Sequence, residues 1–558
     1  MSAPDRPPVP VGRVDPTAAA RYRREGWWGE RTLADVVDGH ARDRPEGVAF
    51  VSDAGTLTWS AYAAAADRLA AALVAVGLDA GERVAVLLPD GATVHVAFLA
   101  NEKAGLVTVG LGSRAGDAEI RHLLAATGAT ALVTLAEHRG RDMTEVVAAL
   151  RAGGLGLRHH VVVPRFESPG TEPVEVDGAA FAAPSGPAAE PSAGRRRGPD
   201  EVFMINSTSG TTGMPKCVLH HQNRWMYFHR MAVETGRLGP DDVFMGAVPA
   251  PFGFGLWTAH FTPTLLGAPT VVCERFDAAT ALELLARHRV SVLAAVSTQF
   301  IMMLNALDGR SVPLDALRVL YTGGEAVPYE RARAFEARTG ATVLQFYGSN
   351  ESGLATGTRL DDPPEARLRT AGRRLPGTEL RLFDAGVDVT ATGRGQPGTR
   401  GPATCLGYLD DPAANAELFT DDGFVLHADV CTIDGEGWLR VVGRTSDLII
   451  RGGKNISAGQ VEEQVGRHPA VALVAALAVP DPVFGERVCV VVQLRPGRTL
   501  ELDELVGFLR AAGVSPEQLP EQLVVVDELP RSSGGKVAKG ELRAELARLD
   551  SRPAGSGR

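Results

Sequence analysis

From residue 60 onward the chain alternates helix-like and strand-like apolar stretches at short spacing, a rhythm that confines it to a largely parallel α/β architecture. Residues 60–76 are rich in Ala and Leu, with Gly77 placed as a stop, and residues 84–88 form a short apolar run ending at Pro89-Asp90. A helix is predicted over 91–104 and a strand over 106–109. The alternation returns as helix 278–289, strand 290–296, strand 317–321, helix 328–338 and strand 342–347. From about residue 380 the texture changes to short strands separated by Gly, Asp and Pro turns, followed by a compact α+β segment near the C-terminus. The expected layout is an N-terminal extension (1–30), a large domain (31–443), a hinge (444–447), a small domain (448–550) and a disordered tail (551–558). Residues 165–200, rich in Pro, Ala, Gly, Ser and Arg, are expected to be a flexible linker within the large domain.

Composition excludes several classes of function. Net charge is −10 with no long basic run, so no nucleic-acid partner is expected. No run of 18 apolar residues suits a membrane span, and the N-terminal residues lack the apolar core of a signal peptide. The five cysteines (217, 273, 405, 431, 489) are widely spaced without a Cys-x-x-Cys pair. A reduced, cytoplasmic protein without a disulfide frame or cysteine zinc site is the expectation, as a monomer or homodimer.

The densest chemistry lies between Ser207 and Lys216, Ser-Thr-Ser-Gly-Thr-Thr-Gly-Met-Pro-Lys. Thr208, Ser209, Thr211 and Thr212 supply hydroxyls, and Gly210 and Gly213 let backbone N–H groups approach an anion. Pro215 stiffens the exit and Lys216 adds a compact positive charge. An apolar strand at 202–205 precedes the loop, and the pattern is not a Walker A, which needs Gly-Lys followed by Ser or Thr. A second clue is that only five of the 57 basic residues are lysines: 103, 216, 454, 536 and 539. Four of the five lie in Gly-rich, motif-like segments, where a point charge on a thin stem serves better than the broad arginine fork.

Taken together and in order, these segments resemble the adenylate-forming superfamily, and within it the acyl-CoA synthetases and ligases, over essentially the whole chain after about residue 30. Thr208 to Lys216 resembles its phosphate loop, and Gly323-Gly324-Glu325 its adenine-facing segment. Tyr347-Gly348-Ser349-Asn350-Glu351 stands where the family has Tyr-Gly-x-Thr-Glu, and Asp429 where it has the ribose-binding Asp. Gly443-Arg444-Thr445-Ser446-Asp447 resembles the hinge, with Arg444 on the nucleotide and Ser446 and Asp447 at the pivot. Gly452-Gly453-Lys454-Asn455 resembles the segment of the thioester half-reaction, and Pro530 to Lys536 the one carrying the catalytic lysine. Singly, Asp429 reads as a turn carboxylate, Glu351 as a helix-start acid and Lys536 as a solvated lysine; their order is what carries the resemblance.

The resemblance implies an α/β fold with parallel and mixed sheets and a distorted β-barrel in the large domain, and a small mobile α+β domain. It also implies ATP, Mg²⁺ and coenzyme A as cofactors and co-substrates. A carboxylic acid attacks the α-phosphorus of ATP to give an acyl-adenylate, and CoA then takes the acyl group. On this reading Thr208, Thr211 and the loop amides hold the phosphates, Glu351 anchors Mg²⁺ and Lys536 bridges carboxylate and α-phosphate. The segment 249–257 is expected to line the acid pocket through Phe252, Gly253, Phe254, Gly255 and Trp257, with Thr298 and Gly353 nearby. Gly253 and Gly255 would leave space. No acidic residue stands there to pair an α-amino group, so a bulky hydrophobic acid (aryl, alicyclic or terpenoid) fits best, with a medium-chain fatty acid as the simpler case.

Departures from the pattern open alternatives. Asn350 replaces the hydroxyl expected at the α-phosphate, so adenylation would be weakened and a preformed acyl-adenylate, made by a partner enzyme, would be the substrate. Ser446 stands where Asp or Lys is usual at the pivot; Cys217 and Ala428 each replace a glycine. Transfer to a carrier protein instead of CoA, a non-catalytic acyl-nucleotide sensor, and oxygenation of the luciferase kind are the remaining readings. His220, His221 and His427 lack metal-like spacing and are expected to be structural.

Overall fold

The computed structural model describes residues 11–53, 55–166, 173–181, 194–208, 214–325, 327–444, 447–451, 454–532 and 536–550. Two large sheets form the body of the chain. One has nine strands; its central run Thr342–Ser349, Val319–Gly323, Val292–Ala294, Phe244–Gly246 and Thr270–Val272 is parallel throughout. The other has eight strands, with Ala131–Thr134, Arg83–Leu87, Val107–Gly110 and Val202–Ser207 parallel and Cys217–His221 antiparallel at its edge. Helices Trp59–Ala75 and Ala92–Lys103 share a core cluster with residues of both sheets, and every residue of the second helix is buried. An all-round buried helix has no hydrophobic stripe, which is why its apolar run shows no amphipathic period. Lys103 ends that helix in the interior, paired with Asp38 at 2.8 Å and Asp67 at 2.7 Å.

A third, six-stranded sheet around Glu379–Asp384, Arg394–Arg400, Asp429–Ile433 and Leu439–Arg444 is antiparallel. Where a distorted barrel was expected, its end strands Val387–Asp388 and Leu439–Arg444 do not pair among the described residues. The edge strand Val387–Asp388 is only two residues long and cannot carry hydrogen bonding around to closure. The C-terminal segment folds as a five-stranded sheet with helices Ala458–Val465, Leu502–Ala511 and Lys539–Asp550. Its residues Leu473, Leu477 and Leu529 share one apolar cluster with Phe300 and Phe335 of the large body. Arg331 Nη2 donates to the Gly466 carbonyl at 3.0 Å across the same junction.

The segment expected to be a flexible linker is structured where described. Glu175–Val176 and Ala179–Ala180 form a hairpin on the edge of the eight-stranded sheet. Asp177 and Gly178 make its turn with φ of 50° and 82°, the positive pair that an Asp-Gly dipeptide favours. Arg196 is tied to Asp35 at 3.3 Å and Asp38 at 2.7 Å. The N-terminal extension is likewise docked: helix Pro16–Arg24 is capped by Asp15, and Trp28 is buried with its indole donating to the Pro402 carbonyl at 3.1 Å. Residues 167–172 and 182–193 of the linker, 1–10, and the tail 551–558 lie outside the described residues. No helix among the described residues is long and apolar enough to cross a membrane, and none of the five cysteines forms a disulfide.

Candidate active site

The parallel strands of both large sheets deliver their C-terminal ends to one cleft of ≈ 1010 Å³, lined also by the small domain. Thr208 follows strand Val202–Ser207, Gly324 and Glu325 follow Val319–Gly323, and Asn350 and Glu351 follow Thr342–Ser349. Loops at the carboxyl ends of parallel strands are where α/β folds bind ligands.

The phosphate-type loop is pinned at its base. Thr208 N–H donates to the Lys216 carbonyl at 3.0 Å, and Lys216 N–H returns a bond to Thr208 Oγ1 at 3.2 Å. Ser209, Gly210, Thr211, Thr212 and Gly213 lie outside the described residues, as do Thr445, Ser446, Gly452 and Gly453. Lys216 stands over the Tyr408 ring, its Nζ 5.0 Å from the centroid. The Tyr408 hydroxyl donates to Glu351 Oε1 at 2.7 Å, orienting that carboxylate beside the loop exit. No group of three or more His, Cys, Asp or Glu converges among the described residues. Glu351 is a carboxylate that could hold a divalent ion together with phosphate oxygens, a ligand set that Mg²⁺ accepts.

Lys536 reaches across from the small domain and donates from Nζ to the Gly324 carbonyl. Gly324 has φ of 76°, and a Cβ there would lie 3.2 Å from Lys536 Nζ, so the turn that receives the lysine favours glycine twice over. Glu325 points inward, accepting from Thr298 N–H at 3.3 Å. Burial raises its carboxyl above the usual range, against the pull of the Lys536 charge. On the opposite wall the Tyr347 hydroxyl donates to Asp429 Oδ2 at 2.7 Å, and His427 stacks on the Tyr347 ring at 5.0 Å. Asp429 pairs in register with Arg444 on the adjacent strand. Asp447 is held by Arg543 at 2.7 Å, and Lys454 is exposed and pairs with Glu517 at 3.2 Å. Of the five lysines, Lys536 and Lys539 line the cleft, and Lys539 is paired with Glu462 at 2.7 Å.

Behind the cleft stands an aromatic box. Phe254 meets Phe346 at 4.8 Å and Trp257 at 5.8 Å, Trp257 meets Phe346 at 5.0 Å, and Phe228 bridges Trp257 to Trp225. Phe346 lines the cleft as well, so box and cleft are continuous through it. A π-helix, Leu256–Phe261, follows the short helix Gly253–Gly255 and supplies Trp257 to the box. Phe252 caps that short helix from its N-terminal side and is half-buried. The geometry corrects three glycines. Gly255 leaves no space for a ligand: it is buried, and a Cβ there would lie 2.1 Å from the Pro249 carbonyl oxygen. Gly353 (φ 72°) is pressed against Ala403 and Phe228 and serves packing. Gly253 leaves no open space either: a Cβ there would lie 3.1 Å from Asn350 Oδ1 and 3.4 Å from Trp225, closer than ordinary contact. Thr298 sits with Glu325 at the cleft rather than in the box.

Asn350, the residue that replaces the expected hydroxyl, commits its amide within the protein. It forms a reciprocal pair with Asn206, Nδ2 to Oδ1 at 2.6 Å and the return bond at 3.2 Å. Arg224 donates to the Asn350 carbonyl at 3.0 Å and to His220 Nδ1, and His220 meets Asn206 Oδ1. Arg224 is fully buried without an ion-pair partner among the described residues, and burial pulls its guanidinium down to about 10. Sequence reasoning missed Asn206, Arg224, Trp225, Phe228 and Phe346. The helix Gln222–Gly236 that supplies three of them reads as an ordinary amphipathic helix, and a polar Asn206 within an apolar strand was the one available signal.

Comparison with known proteins agrees with this geometry. Residues 37–409 match the model of the AMP-binding enzyme family, and residues 460–536 match that of its C-terminal domain. The chain is 32% identical to the medium-chain fatty-acid–CoA ligase of Escherichia coli (strain K12), across 95% of this chain and 93% of that protein. It is 34% identical to the salicylyl-CoA synthase / salicylate adenylyltransferase of a Streptomyces species, across 94% and 96%. Among solved structures, ATP-bound MatB from Rhodopseudomonas palustris superposes with a TM-score of 0.77 at 26% identity, covering 92% of this chain and 99% of that one.

Proposed function

The chain belongs to the AMP-binding enzyme family, and from that premise we propose that it joins a bulky aromatic carboxylic acid to coenzyme A through an acyl-adenylate. The observation that carries the acid class is the aromatic box of Phe228, Phe254, Trp257 and Phe346, continuous with the cleft that Lys536 enters. Flat rings pack edge-to-face against such walls, with a gain beyond area burial of about 1 kcal/mol per pair. The salicylate activity named for the Streptomyces relative supports the same class.

In this reading the loop from Thr208 to Lys216 holds the β- and γ-phosphates, and Tyr347 fixes Asp429 to accept from the ribose hydroxyls. Mg²⁺, held by Glu351 and phosphate oxygens, neutralises charge when bound. Lys536 offers a compact cation at the Gly324 turn, where carboxylate and α-phosphate meet. The Gly452-Gly453-Lys454 segment and the 444–447 hinge serve the thioester step, in the role the family resemblance gives them. A second reading has one observation in its favour. Asn350 commits its amide to Asn206, so it offers no hydroxyl to the α-phosphate, and adenylation would be the weaker half-reaction.

One experiment separates the two. The protein is incubated with CoA and a panel of benzoates, naphthoates and medium-chain fatty acids, in one arm with ATP and Mg²⁺, in the other as synthetic acyl-adenylates without ATP. Aryl thioester in both arms is the expected result. Thioester from the adenylates alone would establish the second reading, and Asn350→Thr should then restore ATP-dependent turnover. Turnover confined to fatty acids would overturn the aromatic assignment.

A further inference from the structure

Arg331 stands near the start of helix Tyr329–Thr339 on the large body, half-buried where the small domain lies against it. Its Nη2 donates to the Gly466 carbonyl at 3.0 Å and, more distantly, to the Val471 carbonyl at 3.4 Å. Gly466 is the C-cap of helix Ala458–Val465, and the last carbonyls of a helix have no partner within it. A cation there also meets the negative end of the helix dipole. The guanidinium is thus bonded to main-chain oxygens of the other domain, at the two ends of one turn.

Asp308 completes the contact. It pairs with Arg495 of the small domain at 2.5 Å. Burial and the Arg495 charge pull the Arg331 guanidinium below its ordinary value, and Asp308 opposes them. Asp308 is exposed, so its pair adds little attraction by itself; its effect is to keep two arginines from repelling each other across the junction.

In this orientation Lys536 donates to the Gly324 carbonyl, whereas Lys454 is exposed, paired with Glu517 and outside the cleft lining. One rigid domain cannot present both lysines to the cleft at once. Bringing the Lys454 segment there carries Gly466, Val471 and Arg495 away from Arg331 and Asp308.

We propose that Arg331, with Asp308 paired to Arg495, latches the small domain in the orientation that places Lys536 in the cleft, and so sets the ratio of the adenylation to the thioester half-reaction. The inference rests on the two-step acyl-CoA reading above. All three are positioning residues, since each acts on the domain that carries Lys536 rather than on the phosphorus or the acyl carbon. With orientations exchanging faster than the chemistry, each half-reaction runs in proportion to the population of its own orientation, and their ratio follows the equilibrium between the two.

Arg331→Met keeps the apolar stem and removes the guanidinium. Single-turnover rates are read for acyl-adenylate formation from acid and ATP, and for thioester formation from synthetic adenylate and CoA. Their ratio should fall about tenfold, the factor that one charge-assisted hydrogen bond carries. Asp308→Arg should lower it too, and adding Arg495→Asp should bring it back. Arg333→Met, on the same helix but exposed, should leave the ratio as it is. Spin labels on Glu283→Cys and Arg510→Cys, both exposed positions, in a Cys273→Ser background, read the orientation without turnover. Arg331→Met should enlarge a second distance population. An unchanged ratio, an equal loss in both half-reactions or an unmoved distance distribution would overturn the latch while leaving the acyl-CoA function standing. A shifted distribution in a protein that forms neither adenylate nor thioester from any acid would sink that function and leave the latch.

Discussion

Replacing Lys536 with alanine is expected to lower acyl-adenylate formation by about 10²–10³-fold, the usual loss when one preorganised donor to developing charge is removed. The lysine reaches the cleft from the small domain and is received by the Gly324 carbonyl and turn. A neutral methyl cannot offset the repulsion between a carboxylate and the α-phosphate it attacks. Arginine should not rescue the variant: a Cβ on Gly324 would already stand 3.2 Å from Lys536 Nζ, so a planar fork has no room. Thioester formation from a synthetic acyl-adenylate and CoA should remain near the level of the unaltered protein, because no bond to phosphorus is made in that step. Single-turnover measurement of the two half-reactions checks this; an equal loss in both would mean that Lys536 holds the domains together rather than acting at phosphorus.

Acidification to about pH 5 is expected to unfold the protein or to cost it most of its stability. His95, His220, His221 and His260 are each no more than 1% exposed. Burial holds His95 and His221 down to about 3 and pushes His220 and His260 well below their ordinary value. The nearby Arg224 charge adds to the effect at His220 and His221, and His95 and His260 stack on each other at 5.2 Å. A histidine with a depressed folded-state pKa binds fewer protons folded than unfolded. Its stability contribution is therefore intact above the unfolded value near 6.5 and shrinks as pH falls from there toward the folded value. At pH 5 each such histidine costs about 2 kcal/mol, and a whole domain has only roughly 5–15 kcal/mol. Asp90, Glu102 and Glu325, raised by burial, take up protons in the folded state and offset part of this loss. Thermal unfolding followed at pH 7.5 and pH 5 reads the effect; an unchanged Tm would show that these rings find compensation on protonation.

The two predictions draw on different levels of the molecule, and so did their legibility. Lys536 was visible in the sequence because it stands in a Gly-rich segment of a chain that elsewhere prefers arginine. The buried pair His95 and His260 was not, since the two lie 165 residues apart and meet only when the helix Ala92–Lys103 packs against the π-helix. The described parts of the linker follow the same logic. Composition marked residues 165–200 as loose, but an Asp-Gly turn and the partner carboxylates of Arg196 decided their structure.

What the amino-acid order determined by itself is the local and the periodic: strand–helix alternation, the turns that need glycine at Gly324 and Gly178, and the loop from Ser207 to Lys216. These follow from sterics and solvation acting over a few residues. Tertiary structure alone decided which surface each of those pieces faces. Asn350 was legible as a departure within a motif, but its amide turned to Asn206 and not to a phosphate because Arg224 and His220, some 126 and 130 positions earlier, fill the space behind it and fix the direction of every hydrogen bond. A buried polar group must find a partner among whatever the fold places beside it, and that choice is written in no local stretch of the chain.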